Sequence, residues 1–219
     1  MSRYGHLTIA QWLINLGESN GYTKIDIHAD NDNAFQWSCG NGKITTAQWL
    51  IKLGESDGYT RIDIHANNDF AFQWSCYNGH LTTAQWLIKL GESDGYTRID
   101  IHAYNDNAFK CSCDNGHLTT AQWLINLGES DGYIQIDIHA GNDSAFIWSC
   151  KNGHLTTAQW LINLGESDGY TRIDIHADND YAFKWSCRNG HLTTTQWLIK
   201  LGESNGYGKF SHELIKKLK

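Results

Sequence analysis

Apolar and polar residues follow one another along this chain in two rhythms, and the whole pattern recurs every 37 residues. From Leu81 to Gly91, at about 100° per residue, Leu81, Ala84, Trp86, Leu87, Ile88 and Leu90 fall on a broad arc. Thr82, Gln85 and Lys89 share the narrow polar stripe that remains. An arc this wide predicts an α-helix that packs on more than one side. Thr83 lies inside the arc, and its counterpart in the first copy is Ile9, which predicts a buried site where the threonine methyl packs. Gly91 is expected to stop the helix as a C-terminal glycine does.

A shorter helix is predicted over Asp69 to Tyr77, with Asp69 as N-cap and Asn78-Gly79 as the break. Ala71, Phe72, Ser75 and Cys76 share one of its faces, and residues this small suit close helix approach. Between the helices, Ser93-Asp94-Gly95-Tyr96 is a turn signal, and Ile99-Asp100-Ile101-His102 alternates with period two like a short extended arm. The unit therefore reads helix, helix, protruding hairpin-like loop.

The long helix begins near Leu7, Ile44, Leu81, Leu118, Leu155 and Leu192, and the short one near Asp32, Asp69, Asp106, Asp143 and Asp180. This predicts one all-α helical solenoid. Its parts are a half repeat over 1–31, repeats over 32–68, 69–105, 106–142, 143–179 and 180–208, and a capping helix over 209–219 with Leu214, Ile215 and Leu218 inward. Ile9 and Trp12 are expected to lack an upstream helix, which makes the incomplete N-terminal repeat a candidate for self-association.

These units resemble ankyrin repeats. In the familiar unit of about 33 residues, a helix opened by Thr-Pro-Leu-His and ending in paired alanines and Gly-His precedes a second helix closed by glycine. Here Ala71-Phe72 stand where Pro-Leu would be, Ser75-Cys76 where the alanines would be, and Asn78-Gly79-His80 matches directly. The extra residues lengthen the loop after Gly91, and the rigid Thr-Pro start is missing because the chain has no proline. The Asp-Ile-His, Ala-Phe and Ser-Cys pattern further resembles the ankyrin-like repeats of amoeba-infecting giant viruses. The resemblance implies a non-enzymatic protein-binding scaffold without a cofactor, with the short helices lining a concave groove.

Composition narrows the partner. With 24 acidic and 17 basic residues and a formal charge of -7, no basic stripe points to nucleic acid. No apolar run approaches bilayer length and the start has no signal-peptide stretch, so an intracellular protein of cytoplasm or nucleus is expected, with no membrane partner. Cys39, Cys76, Cys113, Cys150 and Cys187 recur once per unit, about 10 Å apart by helix-packing distances, too far for disulfides. Cys111 and Cys113 diverge on one helix. Asn142-Asp143-Ser144 is formally a glycosylation sequon and weighs little against this. His65, Cys76 and His80 recur together, but a helix break separates the last two and the spacing does not suit zinc. Nothing distinguishes one unit chemically, as an active site would require.

Differences between units gather in four columns. They are Asp30, Asn67, Tyr104, Gly141 and Asp178; Asn33, Phe70, Asn107, Ser144 and Tyr181; Gln36, Gln73, Lys110, Ile147 and Lys184; and Gly40, Tyr77, Asp114, Lys151 and Arg188. The last three columns share one side of the short helix, opposite Phe72 and Cys76, and the first lies at the loop tip. Beside them run Trp37, Trp74, Trp148 and Trp185, either a partly exposed ladder or structural edges packed between repeats. The expected contact set is Asn67, Phe70, Gln73, Trp74, Tyr77, Tyr104, Asn107, Lys110, Asp114, Ile147, Trp148, Lys151, Tyr181, Lys184 and Arg188. The aromatics would serve as anchors. Neutral drift on a solvent face is the alternative.

Overall fold

A computed structural model of the chain describes residues 7–19, 25–56, 58–93, 95–130, 132–204 and 206–217. The long-helix row is α1 (Leu7–Ser19), α3 (Ile44–Gly54), α5 (Leu81–Gly91), α7 (Leu118–Gly128), α9 (Leu155–Gly165) and α11 (Leu192–Glu203). The short-helix row is α2 (Ala29–Gly40), α4 (Ala66–Tyr77), α6 (Ala103–Asp114), α8 (Ala140–Lys151) and α10 (Ala177–Arg188), followed by α12 (His212–Lys217). No strand occurs among the described residues. No helix among them is long and apolar enough to cross a membrane.

The fold divides into two compact units, residues 1–103 and 104–219. In the first, α2 packs on α3 and α4, and α4 on α5; in the second, α8 packs on α9 and α10, and α10 on α11. The wide apolar arc explains this arrangement. Thr83, Ala84, Leu87 and Ile88 of α5 are buried, as are Ala71, Phe72, Ser75 and Cys76 of α4. Repeats are joined through rings: Phe35 of α2 meets Trp86 of α5, the long helix of the next repeat, at 6.3 Å, and Phe146 of α8 meets Trp197 of α11 at the same separation. Phe183 instead stacks on Phe210 at 4.5 Å. Phe210 is buried, so it closes this end of the core. Ile215 in α12 is half-buried. The side chains of Leu214 and Leu218, expected inward, lie outside the described residues, as does Asp94 of the expected turn.

The start of the short helix differs from expectation. Asp69 is not an N-cap in the extended region; Asn67, Asn68 and Asp69 form a left-handed turn, with φ of 57°, 56° and 59°. A left-handed run costs ordinary L-residues roughly 1–2 kcal/mol each, and Asn and Asp, whose short polar side chains bond locally, tolerate it best. All five short helices open this way. The turn brings the Asp69 carboxylate back onto His65 Nδ1 at 2.6 Å, while the backbone N–H of Asp100, in the next arm, donates to its other oxygen at 3.1 Å. His65 Nε2 faces the Thr97 carbonyl at 3.1 Å, also in the next arm. His28 with Asp32, and His139 with Asp143, repeat the same stapling.

The long helix also ends otherwise than expected. Gly91 is not in the left-handed region; the next residue, Glu92, continues right-handed with φ −90°. Glycine is needed because a Cβ there would lie 2.8 Å from the Thr97 carbonyl oxygen and 3.1 Å from the Ile99 nitrogen. The extended arm presses on the helix end, with Ile99 and Ile101 buried and Asp100 exposed, as period two predicts. Further out, Tyr207 donates to Glu166 at 2.8 Å beneath the Arg172 guanidinium. Burial and the Glu166 carboxylate push the Tyr207 phenol up to about 12.

Two outcomes test this packing. Burial works against the charged form of His176, but the Asp180 carboxylate and the Gly208 carbonyl outweigh it and raise its pKa above 6.5. Its protonation therefore stabilises the fold fully below about pH 6.5. That contribution is lost as pH rises through the folded value. Urea unfolding should show the advantage of wild type over His176→Gln shrinking between pH 6 and pH 9, by roughly the shift in proton affinity. Second, the Thr157 hydroxyl is buried without a hydrogen-bond partner. Thr157→Val is expected to raise stability by about 1 kcal/mol, read from the urea midpoint.

Candidate functional site

The four variable columns lie where the left-handed turns and short helices place them. In the first column, Asn67 and Tyr104 sit within the turns and are exposed, Tyr104 by 63%. In the second, Phe70, Asn107 and Tyr181 are half-buried. In the fourth, Tyr77 and Arg188 are exposed, and Asp114 and Lys151 half-buried.

The third column corrects the expected contact set. Gln73 is 6% exposed and Ile147 3%, so neither offers a surface. Gln73 Nε2 donates to the Asn68 carbonyl at 2.6 Å, five residues back in the left-handed turn. Gln36 and Lys184 donate likewise to the carbonyls of Asn31 and Asn179, and Lys110 reaches the Tyr104 carbonyl at 3.4 Å. Ile147 cannot donate; in its repeat the Ser144 hydroxyl bonds the Gly141 carbonyl. The column therefore secures the turn. Lys110 and Lys184 remain half-buried and keep their ammonium groups near the surface.

The tryptophans combine the two readings left open by the sequence. In the first unit Trp37 and Trp74 meet across the repeat boundary at 5.6 Å, and Trp74 also meets Phe70 at 5.3 Å and Tyr77 at 5.2 Å. In the second, Trp148 meets Tyr181 at 6.1 Å, and Tyr181 meets Trp185 at 5.5 Å. All four indoles are half-buried, so each packs between repeats and still presents an edge. Trp37 and Trp185 belong to these clusters although the expected contact set names only Trp74 and Trp148 of their column.

Charge distinguishes the second cluster. Lys151 Nζ lies 3.8 Å from the centre of the Trp148 ring and 5.4 Å from that of Trp185, and the Arg188 guanidinium carbon 5.3 Å from Trp185. Asp114 accepts from Asn152 Nδ2 at 2.7 Å. Burial pushes the Asp114 carboxyl up, against the pull of Lys151 and His154. The Trp column is taken in the third repeat by Cys111, whose thiol donates to Asn107 Oδ1 at 3.5 Å and is pushed up by burial.

His65, weighed as a metal ligand, is held instead by Asp69 and Thr97, and Cys76 is fully buried. Among the described residues no three His, Cys, Asp or Glu side chains group as a metal site.

The family profile described as Ankyrin repeats (3 copies) matches residues 1–97 and 113–209. Among solved structures, the chain is similar to the crystal structure of the ankyrin repeat domain of Bcl-3, described as a unique member of the IkappaB protein family. The TM-score is 0.50 at 18% identity, over 99% of this chain and 94% of that one, a likeness of fold. No curated protein matches the sequence significantly.

Tyr104 supplies a test of the turn. It is the bulkiest residue held at positive φ, at 55°, where the other repeats carry Asp, Asn or Gly. Tyr104→Asn is expected to stabilise the chain by about 1 kcal/mol, seen as a higher melting temperature. An unchanged or lower value would place the Tyr104 ring in contacts that offset the strain.

Proposed function

Because the chain belongs to the ankyrin repeat family, we propose that it is a non-enzymatic scaffold that binds a protein partner through the variable face of its short helices. The observation that supports this most is the pair of half-exposed aromatic clusters, Trp37, Phe70, Trp74 and Tyr77 in one unit and Trp148, Tyr181 and Trp185 in the other. Aromatic and Arg side chains held rigid at a surface carry a disproportionate share of binding energy at protein interfaces. The residues around them change from repeat to repeat while the buried core recurs. Variation that spares the core alters a contact surface at little structural cost. The proposed contact set is therefore the predicted one without Gln73 and Ile147. A repeat fold does not itself specify the partner, and the resemblance of the repeats to viral ones makes a eukaryotic host protein the first place to look.

A second reading, self-association, is favoured by a separate observation. Ile9 is 53% and Trp12 60% exposed, and a cavity of about 350 Å³ lies beside α1 and α2, lined by Ala10, Ile14, Ala34 and Trp37. A mass from light scattering that does not change with concentration would remove it.

Affinity capture from a eukaryotic host lysate tests the main reading. Trp74→Ala, Trp148→Ala and the more exposed Tyr77→Ala are compared with wild type, each first shown to be folded by circular dichroism. At least one captured protein should fall by about tenfold or more with the folded variants. Retention of every captured protein by all three would show that this face is not the binding face.

A further inference from the structure

We propose that the α8–α10 face binds an acidic peptide segment in extended conformation, with carboxylates on Lys151, Lys184 and Arg188 and apolar side chains against Trp148, Tyr181 and Trp185. The proposal rests on the scaffold reading and gives its partner a chemistry.

The first support is unneutralised charge. None of the three cations forms an ion pair among the described residues. Arg172 of the same unit, by contrast, reaches the Glu166 carboxylate at 3.4 Å. The two carboxylates near the patch are engaged by amides: Asp114 by Asn152 and Asp178 by Asn142, each at 2.7 Å. On a chain with a formal charge of -7, three cations without an ion pair among the described residues, Lys151 feeling the Asp114 carboxylate only beyond ion-pair distance, form a local positive site.

The second support is how the cations are held. The Lys151 ammonium rests on the Trp148 ring and makes no hydrogen bond among the described residues, and Lys184 spends one donor on the Asn179 carbonyl. Stacking fixes the long side chains in place, which lowers the entropy lost on binding an anion. Lys184 and Arg188 lie one turn apart on α10, about 5–6 Å between Cβ atoms. Carboxylates two residues apart on an extended chain are separated by about 6.6 Å, which matches. Tyr181, one turn before Lys184 on the same helix, offers apolar contact to the next side chain on that same face of the extended peptide. The patch is too short for a nucleic acid, whose binding rests on many phosphate contacts.

The test uses the full chain and a dye-labelled peptide of about twelve residues with Glu and Phe together at the alternate positions that share one face and Ser between them, followed by fluorescence anisotropy. Saturable binding is expected, weakened about tenfold or more by the double variant Lys184→Glu with Arg188→Glu and unchanged by Lys200→Glu on α11. Raising salt should weaken it too. No binding, equal binding by the double variant, or tighter binding of a single-stranded oligothymidylate of the same length would overturn the proposal. If that double variant still captures every partner that Trp74→Ala and Tyr77→Ala lose, the scaffold reading stands while the acidic segment falls. If no folded variant loses a partner, the scaffold reading itself falls.

Discussion

Asp69 has only 5% of its surface exposed, and a carboxylate so enclosed would cost several kcal/mol without donors to replace water. It has two, a ring nitrogen of His65 and the amide of Asp100. One belongs to its own repeat and the other to the next, so a single buried group both closes a turn and ties two repeats together. Burial raises the pKa of Asp69 and of Asp143 in the same way, because the low-dielectric surroundings oppose the charge more than these donors favour it.

The left-handed turn is what brings the carboxylate to that position, and much of the remaining sequence accommodates it. Asn and Asp fill it because they bear positive φ at least cost. Gln36, Gln73 and Lys184 follow because a turn of this hand leaves a carbonyl facing the short helix, and a side chain five residues on can reach it. Where Ile147 cannot, Ser144 bonds a carbonyl of the turn instead, that of the Gly141 that begins it. Substitutions that look independent along the sequence are coupled through one strained loop.

The helices were legible because their signal is local. The arc of Leu81, Ala84, Leu87 and Ile88, the small face of Ala71 and Ser75, and the alternation of Ile99 with Ile101 each report burial directly. The staples were not legible, because His65 and Thr97 are 32 positions apart and only the fold brings them together. Asp69 beside a helix start resembles an N-cap, and the same residue types serve both in caps and in left-handed turns. Gly91 is ambiguous for a similar reason. A glycine at a helix end signals either a left-handed cap or close approach, and the sequence does not show that the Thr97 carbonyl lies against it. Of the surface columns, spacing placed Tyr77, Lys151 and Arg188 on the short-helix face, but could not show that Gln73 reaches back into the turn.

The division of labour within the short helix follows from these contacts. Phe72 and Cys76 face the core, and Asp69 and Gln73 hold the turn. With most of the cohesion supplied by those positions, the side chains at positions 70 and 77 and at their counterparts 181 and 188 differ between repeats while packing against the indoles. The indoles stand between the two groups: half-buried, they add packing across repeats and lay a flat platform on which Lys151 and Arg188 rest. A cation stacked this way keeps its charge while losing its freedom, so exchanging one residue over the indole changes the charge that the face presents. The chemistry of the surface thus changes from unit to unit without any change in what holds the repeats together.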